Sequence, residues 1–173
     1  MKRVISYHDV YNYIPDEMWL PLCLLKGLGY LDKMAIGGSM GLVLNKLLKR
    51  PIKDIDLITF IDFYSSDTII NRFKVSHEIP SSKFLVGNDS ILCKKINVFG
   101  HDLDLLYNKN SMPLYEEVII SDLPFPEGLL SINLEDPLTA LRFKTKYVEV
   151  DKNPQSIEKH KQDIYEIIRN LKT

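Results

Sequence analysis

Two short runs, KDIDLITFIDF at residues 53–63 and DLDLLY at residues 102–107, carry aspartates at alternate positions in apolar sequence. Successive side chains of a strand point to opposite faces. In the first run Asp54, Asp56 and Ile58 share one face, and Ile55, Leu57 and Thr59 the other. In the second, Asp102, Asp104 and Leu106 face away from Leu103, Leu105 and Tyr107. Both patterns call for a sheet with one face in an apolar core and carboxylates on the other. Aspartates two residues apart on a strand have Cα atoms roughly 7 Å apart, so both can converge on one or two divalent ions. Gathering three or four carboxylates is unfavourable unless a cation offsets the repulsion or some protonate. Mg²⁺ suits such a cluster through its preference for hard oxygen ligands, retained water and phosphate oxygens. The blander reading of a single Asp-x-Asp is an edge strand with a solvated face.

One helix upstream lies a second feature. MAIGG, at residues 34–38, reads as a short apolar strand running into Gly37, Gly38 and Ser39. SMGLVLNKLLKR follows, with Leu42, Leu44, Leu47 and Leu48 at near-helical spacing. Ser39 is placed as its N-cap, Lys46, Lys49 and Arg50 lie near its C-terminal end, and Pro51 stops it. Glycines at such a turn let the backbone approach a ligand, and free N–H groups at a helix start favour an anion such as phosphate. The Ser39 hydroxyl adds one more hydrogen bond.

The remaining pattern is α/β, with a mixed sheet, helices packed on it and a helical C-terminal section at about 135–173. Residues up to about Leu31 read as helix with a break near Pro15 and Pro21, ending near Gly27 or Gly29. SDTIINRF reads as a short helix capped by Ser66, and residues 75–89 as loop with some strand. ILCKKINVFGHDLDLLYN reads as two strands around a turn at Gly100. Residues 109–128 read as a connection holding one strand, EEVII. LEDPLTALRFKTKYVEV reads as a helix with Pro137 in its first turn. A last helix, capped by Ser156, carries the stripe Ile157, Ile164, Ile167, Ile168 and Leu171.

With 173 residues the chain is expected to form one domain, 1–173, with its core at 34–107. Its 22 basic and 23 acidic side chains argue against a DNA-coating protein. Cys23 and Cys93 have no cysteine neighbour at zinc spacing and are expected reduced and largely buried. Neither a signal-peptide run nor a membrane-length apolar stretch is present, which points to the cytoplasm and to no membrane partner.

GGS, a helix, DIDLITF and then DLDLLY together resemble the nucleotidyltransferase fold of the DNA polymerase beta superfamily, most closely its minimal and AbiEii-like bacterial and phage members. The resemblance covers about residues 34–107 by motif and the C-terminal helices more loosely. It implies a nucleotidyltransferase-type mixed sheet, an NTP ligand and Mg²⁺ (or Mn²⁺). It implies that Gly37, Gly38 and Ser39 hold phosphate and that Asp54 and Asp56 bind metal. Asp104 is the third carboxylate, preferred to Asp102 because the family's third acid sits four residues past a glycine. Lys144 or Lys146 would neutralise the triphosphate, and Lys159 and Asp163 resemble the family's basic–Asp pattern on the next helix. A solvated helix face is the alternative for these four. The interval from Gly38 to Asp54 exceeds the family's usual spacing, so either the helix is a turn longer or the connection is looser.

The implied activity is transfer of an NMP from NTP to an acceptor hydroxyl of RNA, a protein or a small molecule. Similar proteins act in toxin–antitoxin or phage-defence settings, with a cognate antitoxin or partner protein. Two alternatives stand beside it. One is a nucleotide- or partner-binding module without turnover. The other is a metal-dependent phosphohydrolase using His101-Asp102 or His8-Asp9. His160 would come near the site if the last helix folds over it. Phosphate-loop, dinucleotide-binding and nucleophile-elbow motifs are lacking.

Overall fold

The computed structural model describes residues 1–60, 81–86, 89–110 and 112–172. It is a mixed α/β protein. Among the described residues the strands are β1 (Arg3–Ser6), β2 (Met34–Ile36), β3 (Ile55–Thr59), β4 (Ser81–Val86), β5 (Asp89–Val98), β6 (His101–Asn108), β7 (Tyr115–Ser121) and β8 (Leu130–Glu135). They form one sheet in the order β1-β7-β8-β2-β3-β6-β5-β4. The described helices are α1 (Trp19–Gly27), α2 (Gly38–Leu44), α3 (Pro137–Val150) and α4 (Pro154–Leu171).

The alternation in the aspartate runs is realised. Ile55, Leu57 and Thr59 of β3 are buried, as are Leu103 and Leu105 of β6, while Asp56 and Asp104 lie on the other face. β3 and β6 pair in parallel, placing Ile55 beside Leu103 and Leu57 beside Leu105. α1 adds Trp19, Leu22 and Leu25, all fully buried, to the same core. β5 and β6 form the expected hairpin. Val98 pairs with His101, and both turn residues, Phe99 and Gly100, have positive φ, as a two-residue hairpin turn requires.

Several expectations are corrected. The chain begins with a strand, β1, and two short 3-10 turns, not a broken helix. β1 is held by parallel pairing to β7, more than a hundred residues away in sequence, which no local pattern announces. Leu134 and Glu135 end β8 rather than start the next helix, and α3 begins at Pro137 with Asp136 as its cap. α2 ends at Leu44, so the long interval to Asp54 is connection, not extra helix. Gly37, not Ser39, is the N-cap of α2. Asn153, not Ser156, caps α4, because Pro154 takes the first helical position, where a missing N–H costs nothing. On α4 only Ile167 of the expected stripe is fully buried; Ile168 and Leu171 stay exposed. Cys23 and Cys93 are in no disulfide and are only half-buried. The helix expected around Ser66 lies outside the described residues.

Candidate active site

β2 ends beside β3, and the chain turns through Gly37 and Gly38 into α2. Gly37 N–H donates to the Asp56 carbonyl at 2.9 Å, carrying the β2–β3 ladder past the strand end. Gly38 has φ +55°, and a Cβ there would stand 1.8 Å from Asp56 Oδ2. No side chain fits at Gly38, and the Asp56 carboxylate packs directly on the turn. A Cβ on Gly37 would meet Ile58 at 2.6 Å and Glu135 Oε2 at 2.8 Å.

Asp56 and Asp104 are register partners of the parallel β3–β6 pair. They line a cavity of about 740 Å³ together with Asp54, Gly38, Ser39, Lys144 and Lys159. Four other expected residues do not line it: Gly37 sits at the turn behind Gly38, Asp163 stands behind Lys144, and Lys146 and Asp102 lie elsewhere. Lys146 is part-exposed and ion-paired with Glu149 at 3.1 Å. Asp102 accepts a hydrogen bond from Asn97 at 2.8 Å on the exposed start of β6. Neither contributes to the cavity wall, and neither do His101, His8 and Asp9.

The floor is acidic. Burial pushes the Asp56 carboxyl up to about 7, and the charges of Asp54 and Asp104 push the same way. Asp104 is balanced by Lys95 at 2.7 Å. Glu135, at the end of β8 and only 5% exposed, also faces the cavity. Burial pushes its carboxyl up to about 8, against the opposing pull of the Gly38 amide, and the Asp56 charge adds to the rise.

One wall is cationic and braced from behind. Asp163 of α4, 3% exposed, accepts from Arg50 Nε and Nη2, each at 2.8 Å, and from Lys144 Nζ at 2.8 Å. Burial alone would raise the Asp163 carboxyl, but the hydrogen bond from Arg50 and the Lys144 charge outweigh it and hold the carboxyl below its ordinary value. Arg50 Nη2 also donates to Ser39 Oγ at 2.9 Å. His160 stacks on Tyr147 with ring centroids 5.9 Å apart, and both line the cavity. Burial, followed by the Lys144 charge, lowers the His160 pKa.

Sequence reasoning missed Glu135, Arg142 and Tyr147 as lining residues, and Arg50 as a brace. The alternation of Leu130, Ile132 and Leu134 was the available signal for β8, and hence for Glu135. Nothing local marks Arg50, whose role depends on α4.

The donor set suits a hard divalent cation. Asp54, Asp56 and Asp104 face one cavity, and their mutual repulsion, visible in the raised Asp56 pKa, is what such an ion relieves. Among the described residues no three His, Cys, Asp or Glu side chains already stand as a ready ligand group. Binding would therefore include exchange of the Lys95 contact on Asp104.

The fold and the site define a mixed α/β protein with carboxylates and a braced cation sharing one cavity. Comparison with models of known protein families and with characterised proteins finds no match to this chain. No described helix is long and apolar enough to cross a membrane.

Proposed function

We propose that this protein is a metal-dependent nucleotidyltransferase that moves an NMP from NTP to an acceptor hydroxyl of RNA, a protein or a small molecule in the cytoplasm. The observation that carries this reading is the pairing of Asp56 with Asp104 in a cavity that also holds Ser39 and Lys144. Carboxylates select a hard cation and the ammonium selects phosphate, so one ligand bearing both, a metal–NTP, matches the cavity. The volume of about 740 Å³ is that of a small-molecule site.

Asp54, Asp56 and Asp104 would hold Mg²⁺ (or Mn²⁺), which when bound supplies charge neutralisation at the α-phosphate and acidifies a hydroxyl. The chain's own work is positioning. Lys144 and Ser39 take anionic oxygens of the triphosphate. Asp104 would accept the proton of the acceptor hydroxyl once its Lys95 contact is exchanged. The hydroxyl oxygen bonds to the α-phosphorus, the bond to the bridging oxygen breaks, and pyrophosphate leaves. Glu135 lies against the Gly37 position of the turn.

A second reading, a nucleotide-binding module without turnover, is favoured by one observation: Lys95 already neutralises Asp104. Incubation with Mg²⁺, each of the four α-labelled NTPs, total tRNA and cell lysate separates the two. Label transferred by wild type and not by Asp54→Ala/Asp56→Ala is the expected result. Bound NTP without transfer under every condition would establish the binding module instead.

A further inference from the structure

The cluster behind the cationic wall contains more than the proposed chemistry uses. Ser39 and Lys144 line the cavity, whereas Arg50 and Asp163 stand behind them. Arg50 spans both partners. Its Nε and Nη2 grip the two Asp163 oxygens at 2.8 Å, and Nη2 also reaches Ser39 Oγ at 2.9 Å. Nη1 turns back to the Pro51 carbonyl at 3.2 Å. Asp163 in turn takes one Lys144 proton at 2.8 Å.

These bonds decide what the wall offers a ligand. A hydroxyl has two acceptor lone pairs and one proton. With Arg50 donating into a lone pair, the Ser39 proton is turned away from Arg50 and left to donate. Lys144 has three N–H donors, of which Asp163 takes one. Two cations and one carboxylate leave the cluster a single net positive charge. Without Asp163, the part-exposed Arg50 and the buried Lys144 would stand as neighbouring like charges that repel one another.

We infer that Arg50 and Asp163 are positioning residues, a bracket that sets the Ser39 hydroxyl and the Lys144 ammonium as paired donors for the polyphosphate of the ligand. The inference rests on the proposed function only for the class of ligand. The bracket itself comes from elsewhere in the fold. Along the same face of α4, Glu166 accepts from the Lys49 amide at 2.8 Å and Asn170 donates to the Leu47 carbonyl at 3.1 Å. Asp163, Glu166 and Asn170 are spaced three and four apart, so one helix face grips the chain from Leu47 to Arg50.

Inorganic tripolyphosphate binding, measured by calorimetry without metal or acceptor, tests the bracket apart from catalysis. Asp163→Asn is the first variant. Charge alone predicts tighter binding, because the substitution adds a positive charge to the cluster. The bracket predicts binding weaker by about tenfold, since Lys144 loses its fixed partner. Arg50→Lys is the second variant. It keeps the charge and loses the fork, and Arg50 is partly exposed, so the fold should tolerate it. It should weaken binding about tenfold with Ser39 present, and about threefold or less in a Ser39→Ala background. Equal effects in both backgrounds, tighter binding by Asp163→Asn, or no binding by wild type would overturn the inference. If binding follows the expected pattern but wild type transfers no label, the bracket stands and the nucleotidyltransferase reading falls. If wild type transfers label and the variants bind as wild type does, the reverse holds.

Discussion

A carboxylate packed on a glycine turn has little room to escape its neighbours. Asp56 touches Gly38, stands beside Asp104, and has its proton held up to about 7 by burial and by Asp54 and Asp104. Glu135 is held up to about 8, again by burial first. Unfolded carboxyls titrate near about 4. Between that pH and the raised native values the folded chain binds more protons than the unfolded one, so stability falls as pH rises. The contribution is fully present below about pH 4 and is lost as pH climbs through about 7 for Asp56 and about 8 for Glu135. Asp56→Asn removes one of these titrations. In chelator, its melting temperature at about pH 8 should exceed that of wild type by about 3 °C or more, and the two should converge near about pH 4. Parallel curves in scanning calorimetry would remove ionisation of Asp56 as the cause. The alternation on β3 made this residue's face readable, and that of Leu130, Ile132 and Leu134 offered the same signal for Glu135. Its strand was masked by the Asp-Pro that opens the next helix.

Each C-terminal helix is set by its cap and by what it grips. Asp136 caps α3 by accepting from the Thr139 amide at 2.9 Å, and Pro137 sits at the first position. α3 carries Lys144 to the cavity wall, two turns further on. Asp136→Ala should cost about 1 kcal/mol. The melting temperature should fall by about 2–4 °C. A thermal melt checks this, and an unchanged melt would mean that packing alone fixes the helix start. The aliphatic stripe read along α4 is only partly used, because Ile168 and Leu171 remain exposed. Periodicity locates an apolar face but does not say how much of it a neighbour covers. Here the helix spends its inner face on polar grips through Asp163, Glu166 and Asn170 as well as on Ile167.

Taken across the molecule, the sheet order decides which carboxylates meet. β3 and β6 are neighbours although β4 and β5 intervene in sequence, and β8 returns to pair with β2 beside the Gly37 turn. That arrangement draws Asp54, Asp56, Asp104 and Glu135 from three separate stretches into one cavity. A divalent cation that binds there stabilises the folded chain and has no equivalent seat in the unfolded one. At tenfold above its dissociation constant the gain is about 1.4 kcal/mol. Mg²⁺ or Mn²⁺ should therefore raise the melting temperature of wild type by about 4 °C and leave Asp54→Ala/Asp56→Ala unmoved. Equal shifts in both proteins would place the ion elsewhere.

The sequence by itself determined the α/β class, the strand β3, the β5–β6 hairpin and the faces on which Asp56 and Asp104 stand, because alternation and turn chemistry are local properties of the chain. It also placed Gly38 at the turn, where the left-handed φ of +55° favours glycine and the Asp56 carboxylate leaves no room for a Cβ. It did not determine that Lys144 rather than Lys146 reaches the cavity. It did not reveal β1, which owes its form to β7, or the bracket joining Arg50, Asp163, Ser39 and Lys144. Those depend on contacts between residues far apart in the chain: β1 on its pairing with β7, and the bracket on the packing of α3 against α4 and of α4 against the segment from Leu47 to Arg50.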